Sequence, residues 1–348
     1  MSFVKTDSSI TIKTSTAQAE IAFHGAHVYS WKVEGKEQLF LSSASSISGP
    51  AAIRGGIPIC FPVFGPPPSR EPYASLKQHG FARNTSWKFD GVEEGSDWIE
   101  ARFSLDSNNP EVQKVFKPAF ECQYRVKIRE RSLVTSLEVT NPSETTFELQ
   151  ALLHTYLRLP DQGSPQDVRL GPLKGLSFAD KVAQGAVDTE DREAVDFLAG
   201  EVDRVYHGVP SKIEVELGHG KKMTIKTDGL PDLTVWNPHE ARVTRWPTWK
   251  TRAGNGSCVS SLAKPVSSPS SRTVLGRALK NSSLIYERNR PLRTIKACLE
   301  EGSPSLTSRS CLLDSSNFEH DVPFLHLYPL ILTDFIYLSK NIAAAGFP

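Results

Sequence analysis

The sequence predicts an all-β fold, a large antiparallel β-sandwich followed by an irregular carboxyl-terminal tail. Three observations predict it. Short runs alternate between apolar and polar residues, Gly, Asn and Asp turn signals separate many of them, and no stretch of helical period before residue 240 is as clear. The first run is Ser9-Ile10-Thr11-Ile12-Lys13-Thr14, where Ile10 and Ile12 share one face. Ser132 to Val139 repeats the pattern, as do Ile213 to Leu217 and Met223 to Lys226. Leu152 to Arg158 reads as an apolar strand interrupted by a titratable ring, His154. The only helical expectation is a short helix over Asp191 to Leu198.

With 348 residues the chain can bury a sizeable core, and one large β domain is the default. Composition changes near residue 240. Residues 1–240 carry 26 Lys+Arg against 32 Asp+Glu, net −6, whereas 241–348 carry 14 against 7, net +7, with 16 serines. The expected organisation is a sandwich over 1–240 and an atypical tail over 241–348, out of frame or disordered.

The net charge of +1, without a basic run interleaved with aromatics, argues against nucleic acid and anionic membranes as partners. Pro323 to Leu338 is apolar, but His326, Pro329 and Asp334 interrupt it and it is short for a membrane span. A monomeric cytoplasmic protein with a small-molecule ligand is expected. Five scattered cysteines without paired spacing favour reduced thiols over disulfides or zinc.

The most informative segments are Ile53 to Gly65 and Gln78 to Asn84. They set Arg54, Arg83, Gln78 and His79 among glycines and prolines, a composition suited to an anionic, hydroxyl-rich ligand. The plainer alternative pairs each arginine with a surface carboxylate. His154 can deliver a proton near neutral pH, or serve as a core histidine bonded to backbone. Asp203 can accept from sugar hydroxyls, or pair with Arg204. Phosphate-loop, dinucleotide, zinc-protease and nucleophile-elbow motifs are all absent, so nucleotide and metal chemistry lose support.

Arg54-Gly55-Gly56-Ile57-Pro58 with Phe61 to Gly65, Gln78 to Asn84, His154-Thr155-Tyr156, Asp203 and Val235-Trp236-Asn237-Pro238 resemble the hexose-6-phosphate mutarotases of the aldose 1-epimerase superfamily. The resemblance implies a galactose-mutarotase-type sandwich and cofactor-free interconversion of the α and β anomers of glucose 6-phosphate. It further implies that His154 is the acid, that Asp203 holds sugar hydroxyls, and that Arg54, Gln78 and Arg83 hold the 6-phosphate. His79 is placed in the same pocket.

The chain departs from that family at the base, a glutamate in a Val-Cys-Val-Glu-Pro-Gly-like strand beyond the Trp-Asn-Pro segment. Ser257 to Ala263 stands there instead. Read one base out of frame, that segment can encode Val-Cys-Val-Glu-Pro-Gly, and the stretch from Trp246 can encode Met-Ala-Asp-Met-Glu. A chain lacking the glutamate is expected to be weakly active or inactive. Two other readings stay open: a non-catalytic sugar-phosphate binding protein, and an epimerase for unphosphorylated aldoses.

Overall fold

The computed structural model describes residues 1–161, 163–238, 294–301 and 330–338. Among them the chain forms three antiparallel sheets and one short α-helix, Pro110–Gln113, capped by the Asn109 side chain. A five-stranded sheet runs in chain order through Ser2–Lys5, Ser9–Lys13, Ala17–Ala22, His27–Val33 and Lys36–Glu37.

The eight-stranded sheet runs, edge to edge, Arg169–Gly171, Lys212–Glu216, Lys222–Asp228, Thr294–Glu301, Ser132–Thr140, Glu121–Ile128, Ile99–Asp106 and Lys88–Glu94. Its strands alternate as the sequence requires. In Glu121–Ile128, residues Cys122, Tyr124, Val126 and Ile128 are buried while Glu121 and Gln123 are exposed.

The seven-stranded sheet runs Ala186–Thr189, Ser177–Asp180, Val202–His207, Asp232–Asn237, Leu330–Leu338, Leu149–Leu157 and Ile59–Cys60. Here the pattern differs. Leu149–Leu157 is buried almost throughout, and so is Asp232–Asn237. Ala151, Leu153 and Leu157 alternate into the main hydrophobic core, which they share with Leu233, Val235 and the inner residues of the other two sheets. Gln150, Leu152, His154 and Tyr156 therefore share the opposite face.

The all-β architecture agrees with the alternating runs. The helix expected over Asp191 to Leu198 does not form. Val195 instead exchanges both backbone bonds with Leu170, while the Glu190 and Asp196 carboxylates accept from the backbone N–H groups of Arg192 and Leu198. Local side-chain-to-backbone bonds of this kind compete with helical pairing.

Beyond residue 240 the two described pieces are both strands. Thr294–Glu301 pairs with Lys222–Asp228 and Ser132–Thr140, and Leu330–Leu338 pairs with Asp232–Asn237 and Leu149–Leu157. The rest of the tail, including Ser257 to Ala263 and the frame reading attached to it, lies outside the described residues. Cys60 and Cys122 are buried free thiols. Among the described residues no helix is long and apolar enough to cross a membrane.

Candidate active site

The first glycine- and proline-rich segment is tied to the strand Leu149–Leu157 by backbone bonds, and the second, through Phe81 N–H, to the Phe61 carbonyl of the first. Tyr156 N–H donates to the Gly56 carbonyl at 2.9 Å, His154 N–H to Pro58 at 3.0 Å, and Gln150 N–H to Pro62 at 2.8 Å. Behind the first loop, fully buried His27 lies 2.8 Å through Nε2 from the Gly55 carbonyl. Burial lowers the pKa of His27 to about 3, so the ring is neutral and Nε2–H is the donor.

The loops are also clasped to each other. His79 N–H donates to the Gly65 carbonyl at 2.9 Å, and Gly65 N–H donates to His79 Nδ1 at 3.1 Å. This second bond fixes the tautomer of the neutral ring, leaving its proton on Nε2. The double clasp holds His79 at φ +67°, a left-handed conformation that a non-glycine residue adopts at a cost of about 1–2 kcal/mol.

His154 is the centre of an aromatic cluster. Its ring stacks on Tyr156 at 4.6 Å and meets His79 edge-on at 6.2 Å and Trp236 edge-on at 6.3 Å. His79 in turn lies 5.2 Å from Phe64. Only 9% of His154 is exposed, and its Nδ1 has no hydrogen-bond partner among the described residues. Burial, reinforced by His79, Arg83 and Lys181, holds the His154 pKa well below the ordinary histidine value. His79 is lowered to about 3 by burial and by Arg83, Lys181 and Arg54. Both rings are neutral near pH 7 while the pocket holds no anion.

Arg54 and Arg83 are half-buried, and among the described residues neither pairs with a carboxylate. The surface-pair alternative therefore finds no support among those residues. Arg83 Nη2 donates to the Gln78 carbonyl at 2.9 Å, while its buried Nε has no partner among the described residues. Burial, together with the charge of Arg54, pushes the Arg83 guanidinium below its ordinary value. Two guanidiniums that feel each other, with no carboxylate partner among the described residues, are poised for an anion. Gln78 itself is exposed and joins this group through its backbone carbonyl.

Asp203 lies in a strand, not a loop, and its ion-pair partner is not Arg204. It pairs with Lys181 at 3.3 Å, whereas Arg204 bonds to Asp180 at 3.0 Å and to Glu190 at 3.3 Å. The pleat explains the split, because neighbouring strand residues face opposite ways. Glu190, 2% exposed, also accepts from Tyr206 Oη at 2.6 Å and from Arg192. Burial alone would raise the Glu190 pKa, but the bonds from Arg192 and Tyr206 prevail and hold it at about 2. That network pins the strands that present Lys181 and Asp203.

Sequence reasoning missed Lys181 and did not single out Phe64 as a site residue. Lys181 Nζ lies 4.1 Å from the centre of the Phe64 ring, a cation–π contact. Asp203 registers opposite Trp236, so contacts and pairing run in a closed circuit through His154, His79, Phe64, Lys181, Asp203 and Trp236.

A family profile described as aldose 1-epimerase matches residues 8–272 of the chain. The chain belongs to the aldose 1-epimerase family. Family membership makes it an isomerase-type sugar epimerase by descent. A Cenchrus ciliaris relative described as "Putative glucose-6-phosphate 1-epimerase" is 36% identical over 234 residues, 64% of this chain and 68% of the relative. An Escherichia coli (strain K12) relative of the same description is 30% identical over 198 residues, 57% of this chain and 62% of the relative. The chain thus spans roughly two thirds of these family members.

Solved structures of family type share the fold. A "putative mutarotase" from Salmonella typhimurium superposes with a TM-score of 0.66 at 21% identity, covering 86% of this chain and 92% of that one. A "galactose mutarotase related enzyme" from Lactobacillus acidophilus gives 0.60 at 16% identity, covering 87% and 100%.

Proposed function

We propose that the site is the substrate site of a hexose-6-phosphate 1-epimerase, built to hold the anomers of glucose 6-phosphate, with turnover limited in this chain by the missing base. The observation that carries this reading is the pairing of two guanidiniums, which have no carboxylate partner among the described residues, with a buried histidine cluster. A phosphate monoester bears about −1.5 to −2 charges at pH 7 and accepts bidentate arginine bonds. With the phosphate on Arg54 and Arg83, this reading seats the sugar against the His154 cluster and makes Asp203 an acceptor for its hydroxyls. The relatives' description as glucose-6-phosphate 1-epimerases supports the same substrate.

In anomer exchange, His154 as acid gives a proton to the ring oxygen while a base removes the proton of the C1 hydroxyl. The C1–O bond of the ring breaks, the C1 carbonyl forms, and C1 rotates before the ring recloses in the reverse sequence. The anionic substrate supports the acid, because its charge offsets the Arg83 and Lys181 charges that depress His154.

A second reading, binding without turnover, is favoured by one observation. The residue registered opposite His154 in the neighbouring strand Leu330–Leu338 is Thr333, and Asp334 registers opposite Leu153. No carboxylate residue occupies the register position facing the acid. Exchange NMR on the α and β forms of glucose 6-phosphate separates the readings. The full chain is expected to bind the sugar phosphate and to accelerate exchange little. Fast exchange abolished by His154→Asn would instead show that some other group of this chain takes the C1 proton.

A further inference from the structure

We propose that Lys181 is a substrate-selecting residue, a third cation that exchanges its bond to Asp203 for the anionic group of the bound sugar. This rests on the sugar-phosphate reading above and extends it to a residue that reading does not use. Lys181 follows the strand Ser177–Asp180 directly, and its N–H donates to the Asp203 carbonyl at 2.8 Å. The backbone is therefore fixed beside Asp203 while the long side chain reaches across to Phe64, in the first arginine-bearing loop.

Three features make the lysine a contact that can move rather than a structural pair. Its bond to Asp203 is a single 3.3 Å contact between side chains 38% and 24% exposed, a class of ion pair contributing about 0–1 kcal/mol. Its cation depresses the same histidines, His154 and His79, that Arg83 depresses, so both charges act on one small volume. Cys60, buried beneath Phe64, also feels Arg83 and Lys181 together.

The charges also match the ligand. Arg54, Arg83 and Lys181 stand against Asp203, with His79 and His154 neutral, which leaves two positive charges for a phosphate dianion.

Calorimetric titration of the full chain with glucose 6-phosphate, glucose and inorganic phosphate tests this. Lys181→Met is expected to weaken glucose 6-phosphate and inorganic phosphate by at least about 5-fold and to leave glucose within about 2-fold, as removal of one charge-assisted bond requires. Lys181→Arg, which keeps the charge, is expected to retain most of the affinity and guards against loss of fold. Unchanged glucose 6-phosphate affinity in Lys181→Met, with clear weakening in Arg54→Ala, overturns the role of Lys181 alone. Unchanged affinity in both variants overturns the sugar-phosphate reading itself.

Discussion

Arg54→Ala and Arg83→Ala are each expected to weaken glucose 6-phosphate binding by about 10- to 100-fold while leaving glucose within about 2-fold. The magnitude follows from losing one or two charge-assisted hydrogen bonds worth about 1.5–3 kcal/mol in a partly buried site, at 1.4 kcal/mol per tenfold. Neither guanidinium has a carboxylate partner among the described residues, so its truncation leaves no orphaned acid behind. The loss should therefore appear in ligand affinity rather than in folding. Isothermal titration with the two sugars checks it; equal weakening for glucose and glucose 6-phosphate would assign the arginines to the ring rather than the phosphate.

Gly56→Ala is expected to destabilise the protein by about 2–5 kcal/mol, a large share of an ordinary domain's total of about 5–15 kcal/mol. Two costs add. Gly56 sits at φ +62°, and a methyl group there would lie 2.2 Å from the Val28 carbonyl oxygen and 2.6 Å from His27 Nε2. Neither neighbour can yield, since Val28 accepts from Ile57 N–H and His27 holds the Gly55 carbonyl. Gly175→Ala separates the terms, because Gly175 has φ +82° with nothing within 4 Å of the added methyl. It should lose only the conformational part, about 1–2 kcal/mol. Urea denaturation of both variants measures the difference; equal losses would mean that the crowding behind Arg54 costs nothing.

Much of this site is legible along the chain because its parts come from two compact loops and one strand. Arg54 and Arg83 lie in segments whose glycines and prolines mark fixed turns, and His154 interrupts an otherwise apolar strand. Lys181 carries no such mark. It is a lone lysine after a four-residue strand, and only the pairing of that strand with Val202–His207 brings it to Asp203. Asp203 was legible by resemblance, but its partner was not, since sequence adjacency suggests Arg204 and the pleat turns that side chain to the other face. The clasp between Gly65 and His79 joins two segments through a left-handed histidine, which no periodicity announces. The Asp191 to Leu198 expectation failed because the backbone pairing of Val195 with Leu170 and the carboxylate bonds of Glu190 and Asp196 to nearby backbone N–H groups outweigh weak local helical preference.

The central claim is that an anionic sugar occupies the space between the arginines and His154 and charges the acid it needs. Histidine NMR titration of the full chain, empty and then saturated with glucose 6-phosphate or glucose, tests it most directly. In the empty protein, burial and the nearby His79, Arg83 and Lys181 keep His154 well below the ordinary histidine value. Glucose 6-phosphate is predicted to raise the His154 pKa, because the dianion offsets the charges of Arg83 and Lys181, while glucose leaves it nearly unchanged. A His154 titration that does not move with glucose 6-phosphate, or moves equally with glucose, would contradict the account.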